Sequence, residues 1–161
     1  MATVTVRGRI GSLEQEVIAG PHRLVGDEPE GQGGHGAGPS PYDFLLAALG
    51  TCTSMTLTMY ARRKEWPLEA VAVTLGHSRI HATDCAECET KEGHVDRIDR
   101  EIALTGPLTA EQRARLLEIA DRCPVHRTLT SEIKIETSLA ARGPQPLTGT
   151  SETGSPAAGP V

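Results

Sequence analysis

The sequence predicts an α+β chain, and three observations carry that assignment. Stretches that alternate apolar and polar residues stand on both sides of one long run of helix formers. That run is uncharged from Phe44 to Ala61. The elements follow one another as strands, long helix, strands, helix and strand, without the regular alternation of a doubly wound sheet. At 161 residues the chain has the size of one domain, read here as residues 1–139 followed by a tail from 140 to 161.

Thr3 to Ile10 and Leu13 to Ile18 alternate in the manner of strands, with Gly11 and Ser12 as the turn between them. His22 to Val25 reads as a third strand. Gly26 to Pro41 is too rich in Gly and Pro for regular structure and serves as the loop into the helix. No Gly-Lys-Ser/Thr closes that run, so it is not a phosphate cradle.

Ser40 and Pro41 read as an N-cap followed by proline in the first helical position, with Asp43 in the first turn where the helix dipole favours it. The long helix is expected to run to about Lys64, with Arg62, Arg63 and Lys64 as its solvated C-terminal end. Leu68 to Ile80 and Val95 to Leu104 alternate as strands, joined by HATDCAECETKEG as a loop or hairpin end. Thr109 with Glu111 and Gln112 opens a second helix, lined by Leu116, Leu117, Ile119 and Ala120 and interrupted at Pro124. Ser131 to Leu139 reads as the last strand. The Gly, Pro, Ser, Thr and Ala of the tail read as disorder.

Sixteen Lys and Arg stand against twenty-one Asp and Glu, a net charge of −5 with both signs interspersed and no basic block. This excludes nucleic acid and an anionic membrane surface as expected partners. MATVTVRGRIG lacks the apolar core of a secretory signal, and five Thr or Ser and one Gly interrupt the apolar run Phe44–Ala61. The expectation is a cytoplasmic chain without a membrane span. Because the long helix is apolar around most of its circumference, one small sheet is not expected to cover it, and a homodimer follows.

Four cysteines in a reducing compartment point to catalysis, metal binding or inert packing rather than to a disulfide framework. Cys52 shares an apolar helical stripe with Leu45, Leu49, Met55 and Met59, where packing alone accounts for it. Cys123 precedes a proline and is therefore expected to be an N-cap, its sulfur near free backbone amides and near Arg122, His126 and Arg127. Such a position favours a reactive thiolate, with a structural cap as the alternative. His126 reads equally as a donor or base beside Cys123 and as an exposed histidine at a helix start.

Two segments carry a resemblance. GPSPYDFLLAALGTCTSMTLTMYARRKEWPLE and, later, EIADRCPVHRTLTSEIKIET together resemble the OsmC-like family, which includes the organic hydroperoxide resistance proteins, over roughly residues 1–138. The resemblance implies an intertwined homodimer of α+β subunits, with long cysteine-bearing helices at its centre and two active sites at the interface. It implies Cys52 as the peroxidatic and Cys123 as the resolving cysteine, acting on an organic hydroperoxide and recycled by a dithiol reductant, with no cofactor and no metal. It further implies an N-terminal arginine that supplies positive charge to the thiolate, best matched by Arg23. Where the hydroperoxide resistance members read Pro-Glu-Glu or Pro-Glu-Gln, this chain reads Pro41-Tyr42-Asp43. Tyr42 thus replaces the acid expected to orient the arginine, which leaves two readings open: Asp43 substitutes from one residue on, or Arg23 is held otherwise.

Cys85 and Cys88 stand in Cys-x-x-Cys spacing, with His77 and His81 upstream. Three readings stay open: an incidental or stabilising pair, a zinc site of two sulfurs and two imidazoles, and a second redox pair. Two other function classes accompany the peroxidase: a non-catalytic protein binding a small lipophilic ligand, and a metal-binding stress protein centred on Cys85 and Cys88.

Overall fold

The structure, a computed structural model, describes residues 3–86, 88–90 and 92–141. It is a mixed α+β fold in which two small antiparallel sheets accompany one long helix. The first sheet is a meander of β1 (Val4–Gly8), β2 (Gln15–Ala19) and β3 (His22–Gly26). Gly11 and Gly20, both at positive φ, make its two turns.

The loop out of β3 is tied down by one carboxylate. Buried Asp27 accepts from the backbone N–H groups of Glu28 at 2.8 Å, His35 at 2.9 Å and Ala37 at 3.1 Å. These three donors hold its carboxyl below the usual aspartate value, against the desolvation that raises it.

Helix α1 (Pro41–Arg63) starts where the sequence places it. Ser40 Oγ accepts from the Asp43 N–H, and Asp43 accepts from the Ser40 N–H, a reciprocal capping box with proline in the first turn. By length and composition α1 is able to cross a membrane. Here it packs against β4 (Ala70–His81), α2 (Ala110–Ala120) and α3 (Pro124–Leu129). β4 pairs with β5 (His94–Thr105) along twelve residues, from Ala70 opposite Thr105 to His81 opposite His94. Gly50 permits the close approach of α1 to β4, because a Cβ there would lie 2.8 Å from Leu75 Cδ1.

Leu57, Ala61, Leu116, Ile119 and Ala120 form the core where α1 crosses α2, with Trp66, Val71, Ile102 and Leu104 packed around them. The buried residues of α1 are Leu49, Gly50, Thr53, Leu57 and Ala61, spaced for one face of a helix. Of the stripe drawn through Cys52 on the sequence, only Leu49 belongs to that face. Met55 and Met59 are 60% and 71% exposed, and Cys52 is half-buried. A helix apolar all round offers two stripes, and periodicity alone does not choose between them.

The structure also differs from the sequence reading at the end of the chain. Ser131–Leu139 is not a strand, and Ile135 is 83% exposed. A strand exists only as half of a ladder, and among the described residues no sheet edge pairs with this segment. The tail expected from 140 onward lies, from residue 142, outside the described residues.

Candidate active site

Two cysteine-bearing helix segments meet at the junction of α1 and α3. Cys123 is the N-cap of α3, set in extended geometry by Pro124, and its Sγ accepts from the His126 N–H at 3.3 Å. The thiol is completely buried. On its other side lies buried Thr53, the residue after Cys52, with Oγ1 at 3.6 Å from the sulfur.

Thr53 is itself held by a cation. Arg100, on the inward face of β5, donates from Nη1 to Thr53 Oγ1 at 3.1 Å and to the Ala120 carbonyl at 3.3 Å. Its Nη2 pairs with Asp121 at 2.6 Å, and its side chain is 13% exposed. Since Thr53 Oγ1 accepts from Arg100, its one hydroxyl hydrogen is free to point at Cys123 Sγ. The sulfur thus accepts from one backbone N–H and meets a hydroxyl, able to donate or accept, that a guanidinium holds in place.

Beside this cluster is a cavity of about 280 Å³, walled by Leu49, Ile98 and Leu129 and by the polar groups of Asp96, Arg100 and His126. Leu49 lies one turn before the half-buried Cys52 on α1. The arrangement supplies two reduced thiols on neighbouring helices, a pocket of mixed apolar and polar lining and a largely buried positive charge. Those are the parts a two-thiol redox reaction needs.

A profile described as OsmC-like protein matches residues 34–138, a span that includes α1, β4, β5, α2 and α3. The chain belongs to the OsmC-like family. No curated protein matches it. Solved structures of the same fold include the OsmC-like protein of Mycoplasma pneumoniae, with a TM-score of 0.64 at 20% identity, covering 80% of this chain and 86% of that one. The organic hydroperoxide resistance protein OsmC of Legionella pneumophila has a TM-score of 0.60 at 21% identity, with coverages of 81% and 89%. For the organic hydroperoxide resistance protein OhrB of Bacillus subtilis the values are 0.56, 17%, 81% and 90%.

In this OsmC-like chain the other sequence-selected residues are engaged elsewhere. Arg23, on β3, pairs with Glu16 of β2 at 3.0 Å and is largely exposed; within one chain it serves the meander, not a thiol. The Tyr42 ring stacks on His77 at 4.3 Å, and His77 Nε2 lies 3.0 Å from Asp96 Oδ1. Asp43 is committed to the helix cap, where the Ser40 hydroxyl and backbone N–H lower its pKa. Cys85 and Cys88 are bonded to each other, and the His81 and His94 rings lie against each other at 4.1 Å, tilted by 38°.

The sequence reading missed Thr53 and Arg100. One signal was present in VDRIDREIAL, where Arg100 is the charged member of the inward series Ile98, Arg100, Ile102, Leu104. A charge at an inward strand position requires partners. Thr53 carried no such mark, being one of five Thr or Ser in the helix run.

Proposed function

We propose that this OsmC-like chain is a thiol-dependent peroxidase that reduces organic hydroperoxides, working as a cytoplasmic homodimer. The observation that carries the reading is the buried sulfur of Cys123 held against Thr53, one helical step from Cys52, beside a cavity walled by Leu49, Ile98 and Leu129 together with polar groups. The names of the Legionella and Bacillus proteins, which share the fold, support the substrate class.

In this reading the Cys52 thiolate attacks one peroxide oxygen. The O–O bond breaks, the other oxygen takes a proton and leaves as the alcohol, and Cys52 becomes a sulfenic acid. Cys123 then attacks the sulfenic sulfur; an S–S bond forms, and the displaced hydroxide leaves as water with the thiol proton. A dithiol reductant returns two electrons and two protons and closes to its own disulfide. The Thr53 hydroxyl and the His126 N–H solvate the Cys123 sulfur as it takes on charge, and Arg100 keeps Thr53 in place. Arg23 reaches a thiolate only from a second subunit, as the interface site requires.

The test adds one equivalent of tert-butyl hydroperoxide to reduced protein and maps the cysteines by mass spectrometry. A Cys52–Cys123 disulfide is expected in the native chain, and a sulfenic acid on Cys52 in Cys123→Ser. Peroxide left unconsumed, with both thiols still reduced, would sink the reading.

A further inference from the structure

The loop that joins β4 to β5 holds a cysteine pair that the peroxide chemistry leaves unused. Cys85 and Cys88 are bonded, with Cα atoms 5.4 Å apart, and both residues are half-buried rather than sealed in a core. The bond is not what closes the hairpin. The ladder runs unbroken to His81 opposite His94, and the Ala82 N–H adds one more bond to the Gly93 carbonyl at 2.9 Å. A bridge with a sequence separation of 3 closes a very short loop, so it removes little freedom from the unfolded chain.

Two further features mark the loop. His81 caps the 3-10 turn Ala82–Asp84, at whose far end Cys85 donates its N–H to the Ala82 carbonyl at 3.2 Å. The His81 and His94 rings lie together at 4.1 Å, placing two imidazoles at the base of the disulfide loop. The segment 82–93 carries Asp84, Glu87, Glu89 and Glu92 against Lys91, so its sequence charge is acidic.

This loop stands apart from Cys52. His77 packs on Tyr42 in the first turn of α1, and β4 runs on from there away from the helix while Cys52 lies eleven residues into it. With 3.3 Å per strand residue and 1.5 Å per helix residue, the path between the two sites is roughly 30 Å.

We propose that Cys85 and Cys88 form a second dithiol–disulfide couple, separate from the peroxide site, that exchanges two electrons with a dithiol reductant whose reactive end is rimmed by positive charge. A thiolate of the incoming dithiol attacks one sulfur of the pair. The Cys85–Cys88 bond breaks, a mixed disulfide forms, and the displaced cysteine leaves as a thiolate and takes up a proton. The second thiol of the reductant loses its proton and attacks the mixed bond, closing the reductant's own disulfide and freeing the other cysteine. The reductant loses two electrons and two protons, and the hairpin pair gains them. The acidic loop raises the local concentration of a cationic partner.

The experiment uses the full chain with Cys52→Ser and Cys123→Ser, which leaves the hairpin pair as its only thiols and is blind to whether the peroxidase reading holds. Folded protein is equilibrated in mixtures of reduced and oxidised dithiothreitol, and thiols are counted by mass tagging with circular dichroism recorded in parallel. A reversible two-electron transition without loss of fold is expected. An amine-bearing dithiol should reduce the pair several-fold faster than a carboxylate-bearing one at low salt, with the ratio approaching one in 0.5 M salt. A disulfide released only on unfolding would overturn the proposal in favour of a structural bridge. So would thiols that stay reduced in oxidised dithiothreitol, or one equivalent of zinc held by the reduced pair.

Discussion

Thr53 has one hydroxyl to share between a guanidinium and a thiol. Thr53→Val keeps the volume and removes that hydroxyl, leaving an Arg100 N–H without its acceptor and the Cys123 sulfur without its hydroxyl partner. A buried donor deprived of its partner costs about 1–3 kcal/mol, so urea unfolding should show a loss of that size, recovered by Thr53→Ser. Arg100→Met makes a different prediction, because Asp121 is exposed enough to be hydrated when its partner goes. If the guanidinium orients Thr53 toward the sulfur, closure of the Cys52–Cys123 disulfide after sulfenic acid formation should slow by roughly tenfold, the equivalent of about 1.4 kcal/mol of barrier. Stopped-flow measurement of sulfenic acid lifetime on Cys52 checks it, since a purely structural arginine would change Tm and leave that lifetime alone.

Among the elements, the loop between β3 and α1 rests on Asp27, which receives three backbone N–H groups as an anion. Its pKa is lowered on folding, so its contribution to stability is complete above the ordinary value of 3.8 and is lost as the pH falls through the lower folded value. Asp27→Asn should therefore lower Tm at pH 7, and the gap to the native chain should narrow as the pH falls through the lowered folded pKa; thermal melts from neutral into acid measure it. Local chemistry of this kind is what a sequence shows best. The Ser40–Pro41–Asp43 start of α1 and the Cys123–Pro124 start of α3 were both legible, because a cap and a following proline act within a few residues. The side of α1 that faces the core was not legible, since Leu49–Thr53–Leu57–Ala61 and the stripe through Cys52 are both apolar enough to be buried. The partner of Cys123 was hidden for the same reason. Arg100 reaches it through Thr53 from a strand that no spacing rule connects to the helix.

At the scale of the whole molecule, a single chain leaves apolar side chains exposed, and the proposed second copy would cover them. Met55 and Met59 are exposed along the uncovered stripe of α1, Leu117 along α2, and Val4, Val6 and Leu24 on the first sheet. Met55 and Met59, four residues apart on one stripe of α1, begin an exposed apolar patch of the kind that marks an interaction site. Ser131–Leu139 adds an independent reason: SEIKIETSL alternates as a strand should, yet finds no edge among the described residues of its own chain. A partner subunit would supply the edge and would bring an N-terminal sheet, with Arg23, toward the other chain's Cys52. The expected solution mass is twice 17.1 kDa. Met59→Glu should shift the chain toward monomer in light scattering. Hydrogen exchange then separates pairing across subunits from a strand that simply folds back. Amides of residues 131–139 should be protected in the native dimer and exchange freely in the Met59→Glu monomer, while β4 and β5 stay protected in both. Protection of that segment in the monomer would place its partner edge within the chain and remove the main reason for an intertwined assembly.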